Sequence, residues 1–458
     1  MRIWRRRCST RSRSSATIVV PQRAFDPAKS MLQRNISILS LPGVPGIRRS
    51  VKTLSLPRTR AWGTLVPLVA GMTTVPAVAQ TTTPAFQPRE TRVERPENRD
   101  PAFTLSGGLL GTYDDNIFRI DSARQEPVED FILTPQVTAR YKRQIGLNDI
   151  TVRGDASYGY YIRNPDRSRV QAILDTQGTF RIAGTCVLKP LARIQRQRAD
   201  YGDINGSIDN FQTFTALGLE ATCPRTVGLF PIVGVRRDTS DNDPRFAFAN
   251  QKAVSYSAGV GYARPSIGTM TAYYNRIDSE RDAIGVTNHI DRAGITFVRS
   301  VVSSASLKAD IQYLNARSIG ADVRPYRGLG WAGELVYRPL PRLSLTGTTD
   351  RRIINDTLVP AGFAVQTDYG LRADWQFAER TQIRAQAGYA TRSFRGDPLV
   401  IVSGINSDTL VDVLLRMTRR VGARIDLQAE ARHISRQTDT DANQYKVTLA
   451  TGGITYRF

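Results

Sequence analysis

Histidine and cysteine are scarce in this sequence. Of 458 residues, two are histidine, His289 and His433, and three are cysteine. No phosphate-binding loop and no nucleophile elbow accompanies the two histidines. The side chains used most often for acid–base catalysis and for zinc binding are therefore almost missing. We predict no catalytic residue, no metal site and no cofactor, and a membrane-embedded hydrolase is the weakest of the functions considered.

Long apolar runs are also lacking. Beyond residue 80 no stretch of 18 uninterrupted apolar residues occurs, so none qualifies as a transmembrane helix. The apolar run at residues 61–75 follows a basic segment and is too short to cross a bilayer. Small residues follow it at Ala77 and Ala79, with Gln80 as the expected new N-terminus. We predict that residues 1–79 are an upstream extension plus a secretory signal peptide.

The net charge of +22 is concentrated in that N-terminal segment. Residues 1–79 contain fourteen Lys and Arg against a single acid, Asp26, so about +9 remains for the rest of the chain. Without the leader's charge, nucleic-acid binding is a poor interpretation. Residues 80–102 are rich in Pro, Thr, Arg and Glu and have almost nothing to bury. We predict a disordered periplasmic leader there.

From Phe103 onward, apolar and polar residues alternate. In the segment VGARIDLQAEARH, every second residue from Ala423 is apolar, and the residues between them are charged or polar. The same period of two recurs in segments of about ten residues. Strands of soluble proteins average about five or six residues. Ten-residue strands joined by alternately short and long connections are typical of outer-membrane barrels.

The connections alternate in length along the whole segment. Nine long and eight short connections join about eighteen strands, with both ends of the segment on the short-turn side. We predict an all-β fold over residues 103–458, a transmembrane antiparallel up-and-down β-barrel in the cell outer membrane of a Gram-negative bacterium. Sixteen strands is the alternative, because IGTMTAYYNR alternates poorly. Tyr456 and Phe458 close the last strand and are predicted to be its assembly signal.

The start of the segment carries a recognisable motif. GGLLGTYDDNIFRIDS is followed by EDFILTPQVTARY. The pattern resembles the first hairpin of the Putative β-barrel porin-2 family, here over residues 103–458. Its motif residues are Tyr113, Asp114, Asp115, Asn116, Ile117, Phe118 and Pro135. The resemblance implies an outer-membrane barrel, and because members often accompany exopolysaccharide or capsule loci, it also implies export of exopolysaccharide.

The three cysteines divide into two groups. Cys8 lies in the segment predicted to be removed. Cys186 and Cys223 both lie at predicted short turns of neighbouring strands, on the oxidising periplasmic side. The two residues either form a disulfide or remain two separate thiols.

The charged face of the strands is the main functional signal. A charge facing lipid costs about 2–4 kcal/mol at mid-membrane, so the charged face is predicted to line the lumen. Counting outward from Arg420 predicts Arg416 opposite Arg424, as part of a basic ring suited to anion passage. The lumen and anion-selectivity candidates are Arg140, Lys142, Arg153, Arg372, Arg384, Arg416, Arg424 and Arg432. Acidic residues share this face, so a self-neutralising network is the competing interpretation.

These features predict an outer-membrane pore with a basic lumen that passes anionic solutes or exopolysaccharide. A non-conducting structural or adhesive barrel and a general small-solute porin remain as alternatives. The expected partners are outer-membrane lipid and lipopolysaccharide, the outer-membrane assembly machinery and periplasmic polysaccharide-export components, with no nucleic acid.

Overall fold

The computed structural model describes residues 102–198, 210–302, 304–320, 323–354, 362–395, 406–439 and 444–458. The predicted signal peptide, with Ala77, Ala79 and Gln80, and the leader up to residue 101 lie outside these residues. No helix in the described ranges is long and apolar enough to cross a membrane.

Eighteen strands form one sheet in the described part of the chain, each antiparallel to its neighbours in sequence. They are β1 Phe103–Asp114, β2 Asp130–Ile145, β3 Asn148–Tyr161, β4 Arg169–Ala183, β5 Cys186–Arg198, β6 Phe211–Thr222, β7 Gly228–Asn242, β8 Gln251–Arg264, β9 Gly268–Arg281, β10 Val286–Val302, β11 Ala305–Ile319, β12 Tyr326–Leu340, β13 Leu343–Ile354, β14 Phe363–Ala378, β15 Thr381–Arg395, β16 Ser407–Val421, β17 Ile425–Thr438 and β18 Tyr445–Arg457. Strand β18 pairs with β1, so the sheet closes on itself. The predicted all-β barrel is confirmed, with eighteen strands rather than sixteen.

The two ends of the barrel differ in their connections. Tight turns join β2 to β3 and β16 to β17, and glycines with positive φ, Gly146 at 61° and Gly422 at 67°, occupy them. The connection predicted to be long between β9 and β10 is only four residues, because both strands extend further than their alternation predicts. By the rule for such barrels, the short-turn end faces the periplasm. We call this end the short-turn mouth.

The outer face of the barrel is an apolar band. Leu109 pairs with both Ile454 and Pro135, and all three point away from the lumen. Exposed aromatic residues lie toward both rims, and Phe103 and Tyr113 mark the two rims on β1. Ten residues of a tilted strand span about 25 Å, which matches the apolar band of an outer-membrane barrel.

Tyr456 and Phe458 lie on the outer face at the short-turn rim. Their ring centroids are 5.0 Å apart, in an edge-to-face arrangement. The backbone N–H of Phe458 donates to the carbonyl of Leu105 at 3.0 Å, which extends the β18–β1 pairing to this residue. Aromatic rings favour this interfacial level. Their role as an assembly signal stays a prediction.

Cys186 and Cys223 form a disulfide in the structure, with an S–S distance of 2.06 Å. Val187 pairs with Thr222, so the two cysteines face each other one residue closer to the short-turn mouth. The bond therefore links two adjacent strands at the predicted periplasmic rim.

Intact-mass measurement tests the disulfide in the natural protein. We expect protein from outer membranes to resist alkylation until it is reduced, and then to gain two alkyl groups on Cys186 and Cys223. Alkylation of both residues without reductant would contradict the bond. A Cys186→Ser variant is the control, because it should gain one alkyl group with or without reductant.

Aromatic rings on the inner face lie over glycines of the same face. Phe230 on β7 lies directly opposite Gly261 on β8, and a methyl group at Gly261 would overlap its ring. On β10, a Cβ at Gly294 would stand 2.8 Å from both the Gln312 Cβ and the Ile311 carbonyl oxygen of β11, and 2.9 Å from the Tyr273 hydroxyl. Glycine at these positions lets neighbouring groups approach the strand closely.

Candidate functional site: the lumen wall

A row of charged residues crosses four adjacent strands on the inner face near the short-turn mouth. Asp374 pairs with Arg384, Arg384 with Arg416, and Arg416 with Glu430. The Nε of Arg384 lies 2.6 Å from Asp374, and the Nε of Arg416 lies 2.5 Å from Glu430. Arg372 also contacts Asp374, at 2.8 Å. Two arginines therefore stand side by side, each held by a carboxylate.

The predicted pairing of Arg416 with Arg424 is wrong. The register places Arg416 opposite Glu430 and Arg420 opposite Asp426. Arg424 lies in the turn before β17, where its guanidinium donates to the Tyr456 hydroxyl at 3.0 Å. Arg424 is consequently a residue of the turn, and the like-charge neighbour of Arg416 is Arg384 on β15.

Arg432 lies further from the short-turn mouth, on the inner face of β17. Its Nε and Nη2 donate to the two oxygens of Asp412 at 2.9 and 2.8 Å. This bidentate geometry is the strongest form of an arginine–carboxylate pair. Arg432 is therefore a fixed part of the wall.

Carboxylates shared between two arginines recur on this side of the lumen. Asp374 holds Arg372 and Arg384, as described above. Asp408, whose side chain is fully buried, accepts from Arg392 at 2.8 Å and from Arg436 at 2.9 Å. At the short-turn mouth, Asp426 lies between Arg457 and Arg420, at 2.7 and 3.6 Å. The Asp374 trio and the Asp426 trio each keep one positive charge.

Asp408, Arg392 and Arg436 were not among the sequence candidates. Alternation along β16 places Asp408 on the same face as Asp412, so its orientation was accessible from the sequence. The burial of Asp408 could not be predicted, because the alternation pattern does not show how closely neighbouring strands and loops cover a side chain.

A second basic patch lies on β2 and β3. Arg140 pairs directly with Arg153, and Lys142 follows Arg140 on the same face. The Nε of Arg153 contacts Asp155 at 2.8 Å. Arg140 is exposed, and no hydrogen bond or ion pair joins its side chain to the residues that the structure describes. Arg140 is therefore a candidate whose charge no described carboxylate contacts.

The first-hairpin motif lies at the opposite end of the barrel, where β1 ends. Asn116 is buried; its Nδ2 donates to the carbonyls of Ile120 at 2.8 Å and Lys446 at 3.0 Å. The Asp115 carboxylate accepts from the backbone N–H of Thr448 at 2.8 Å. Lys446 and Thr448 belong to β18, so the motif fastens the seam where the last strand meets the first.

The other motif residues support the same loop. Asp114 is buried and holds Arg119 at 2.8 Å, and the Phe118 ring lies 4.5 Å from the Arg167 guanidinium. On the outside, the Tyr113 hydroxyl donates to Glu129. Hydrogen bonds from Tyr113 and Arg163 hold the pKa of Glu129, a loop residue, below its ordinary value. The motif is thus structural in its geometry, and its residues do not line the lumen.

The two histidines lie on strands rather than in loops. His289 on β10 contacts Asp278 at 2.5 Å, and His433 on β17 contacts Thr448 at 3.1 Å, both on the outer face. Within the described ranges, no group of three metal-binding side chains occurs.

A closed barrel with an apolar exterior and a charged interior defines a porin-like protein of the outer membrane. Residues 269–458 match the family Putative beta-barrel porin 2, which supports the family suspected from the sequence. The match begins after the first-hairpin motif. The family and the fold are those of channels, which are typically non-enzymatic, and the protein resides in the outer membrane of a Gram-negative bacterium.

Similar solved structures include three proteins of Pseudomonas aeruginosa. The outer membrane protein OpdK shares 11% identity over 78% of this chain and 99% of its own, with a TM-score of 0.44. OccK11 (OpdR) shares 15% identity over 78% of this chain and 96% of its own, with a TM-score of 0.42. OccK2 (OpdF), solved in complex with glucuronate, shares 12% identity over 78% of this chain and 98% of its own, with a TM-score of 0.43. No curated protein sequence matches this chain.

Proposed function

We propose that the protein is an anion-selective outer-membrane pore that passes anionic solutes or exopolysaccharide. The observation that carries this proposal is the sharing of Asp374 and of Asp426, each between two arginines. One carboxylate neutralises one guanidinium, so each of these two trios leaves a positive charge on the inner face. Rings of arginine or lysine in a narrow pore favour anions and repel cations.

Both trios lie close to the short-turn mouth. Arg420 and Asp426 flank the turn between β16 and β17, and Asp374 lies near the end of β14. Fixed positive charge at an entrance raises the local anion concentration before any solute enters. The proposed selectivity filter is therefore on the periplasmic side, which suits a solute arriving from the periplasm and polysaccharide-export components as its suppliers.

A non-conducting structural barrel is the second candidate, and one observation favours it. Among the sequence candidates, Arg153, Arg372, Arg384, Arg416 and Arg432 all contact a carboxylate. Such pairing stiffens a barrel wall without requiring a solute. A general small-solute porin would show little charge selectivity, so a selectivity measurement separates all three functions.

The test is planar-bilayer recording with protein purified from outer membranes, under a salt gradient. We expect channels whose reversal potential reports anion selectivity. Arg140 and Arg181 are exposed on the inner face and contact no carboxylate of the described chain, so Arg140→Gln and Arg181→Gln remove charge without breaking a pair. The double variant should lower the anion-to-cation permeability ratio about twofold or more.

Arg424→Gln is the matched control, because the Tyr456 hydroxyl holds the Arg424 guanidinium toward the outer face and not in the lumen wall. It should leave the permeability ratio nearly unchanged. Folded protein that carries no current would favour the structural barrel. A current without charge selectivity would favour the general porin.

A further inference from the structure

Arg292 on β10 is buried to an unusual degree for a charged residue of a barrel interior. Its side chain is 1% exposed, and it points inward, opposite Asn275 on β9 and Leu314 on β11. All three of its guanidinium nitrogens are buried and have no hydrogen-bond partner in the described part of the chain. Arginine keeps its charge under all ordinary conditions, so this is a buried cation without a hydrogen-bonded partner, although Asp310 and Asp350 lie close enough to attract it.

The neighbouring carboxylates are engaged elsewhere. Asp310 accepts from the Thr296 hydroxyl at 2.6 Å and from the Tyr273 hydroxyl at 3.0 Å. Asp350 pairs with Arg352. A buried charge without a partner is strongly unfavourable, and it is retained where an anion completes the site.

A second unpaired atom faces the same place. Asn275, 1% exposed, donates its Nδ2 to the carbonyl of Tyr256 at 3.1 Å, which fixes the orientation of the amide. Its Oδ1 is buried and has no donor among the described residues. Arg292, with its guanidinium, and Asn275, with its unpaired Oδ1, therefore lie directly opposite each other on adjacent strands.

The site has an apolar boundary toward the long-loop end. Ile277 and Ile290, one row beyond Asn275 and Arg292, are completely or almost completely buried and belong to one apolar cluster with Leu314. Toward the short-turn mouth the surroundings are polar, with Tyr273, Thr296 and Gln312. Water is thus excluded on one side, which strengthens any ionic contact made by Arg292.

We propose that Arg292 and Asn275 form a binding site for a solute that carries both a carboxylate and a neighbouring hydroxyl group, as an acidic sugar does. The planar guanidinium accepts a carboxylate through two parallel hydrogen bonds, and the Asn275 Oδ1 accepts from the hydroxyl. This site deepens the proposed pore function and rests on it for its physiological role. Because Arg292 is covered, binding is accompanied by movement of the covering groups.

The experiment is isothermal titration of the purified full-length protein with glucuronate, glucose and acetate. We expect glucuronate to bind more tightly than either of the others, since glucose lacks the carboxylate and acetate lacks the hydroxyl. Arg292→Met should weaken glucuronate binding about tenfold or more, because two charge-assisted hydrogen bonds are lost. Asn275→Ala should weaken glucuronate binding and leave acetate binding unchanged.

Arg237→Met is the matched control, because Arg237 is an exposed arginine on the outer face of β7. It should bind glucuronate like the natural protein. Arg292→Met removes a buried charge that has no hydrogen-bonded partner, so it should fold and resist denaturant at least as well as the natural protein. Lower resistance would show that Arg292 is already paired, and would overturn the proposal.

The outcomes for the site and for the pore can be separated. Equal glucuronate affinity in the natural protein and in Arg292→Met would overturn the site, whatever the bilayer recordings show. Equal affinity for glucuronate and glucose would also overturn it. Glucuronate binding that depends on Arg292, in a protein that carries no current, would support the site and contradict the pore.

Discussion

Replacing Asp408 with asparagine is expected to destabilise the barrel by about 3–5 kcal/mol. The carboxylate of Asp408 is fully buried and is the shared partner of Arg392 and Arg436, whose side chains are also almost fully buried. Without its negative charge, two buried guanidinium groups lose their shared carboxylate in a low-dielectric environment, where the loss of an ionic partner is most costly. Urea unfolding of protein reconstituted in lipid vesicles measures the loss.

Asp426→Asn is the matched control for this change. Asp426 has the same contacts with two arginines, Arg420 and Arg457, but it lies at the short-turn mouth and its side chain is 26% exposed. Water and salt screen exposed ion pairs, so we expect a loss of less than about 1 kcal/mol. Equal losses in the two variants would show that burial does not decide the strength of these trios.

Asn116→Ala is expected to destabilise the barrel by about 3 kcal/mol, the second largest effect. The substitution removes three hydrogen bonds, to the carbonyls of Ile120 and Lys446 and from the N–H of Ile120. Each buried group left unpaired costs about 1–3 kcal/mol. Because Lys446 lies on β18, the loss falls on the closure of the barrel, and the folded fraction after heating in detergent should report it on gels.

Asp121→Ala is the control in the same connection between β1 and β2. The Asp121 carboxylate accepts from the backbone N–H of Ala123 at 3.0 Å and lies 3.9 Å from the Arg124 side chain. Among the described residues, its hydrogen bonds stay within this loop and do not reach β18. We expect a change of less than about 1 kcal/mol. If Asn116→Ala behaves like Asp121→Ala, the motif does not fasten the seam.

The orientation of side chains could be predicted well from the sequence. A period of two defines two faces, and lipid penalises charge on one of them, so Arg140, Arg384 and Arg432 were assigned to the lumen before any pairing was known. Strand number followed from the alternation of short and long connections.

The partner of each residue could not be predicted in the same way. Arg416 was expected opposite Arg424, and the structure pairs it with Glu430. The error moves the register by an even number of residues, which leaves every side chain on its predicted face. Period-two alternation therefore carries no information on such a shift. The length of the turn around Gly422 fixes the true register, and the alternation of the two strands does not reveal that length.

Burial was equally inaccessible from the pattern. Arg140 and Arg292 both lie on inward faces, yet one is exposed and the other is 1% exposed. The difference arises from the apolar cluster that surrounds β10 and from the glycines that let neighbouring groups approach closely.

One of those glycines has a consequence for how such a barrel can diversify. The position of the Phe230 ring depends on Gly261, because a side chain there would overlap the ring. We therefore expect a bulkier residue in place of Gly261 to displace the ring and to change the space inside the barrel. That space is controlled in part by a position that no solute need touch, and it can change while the charged residues stay the same.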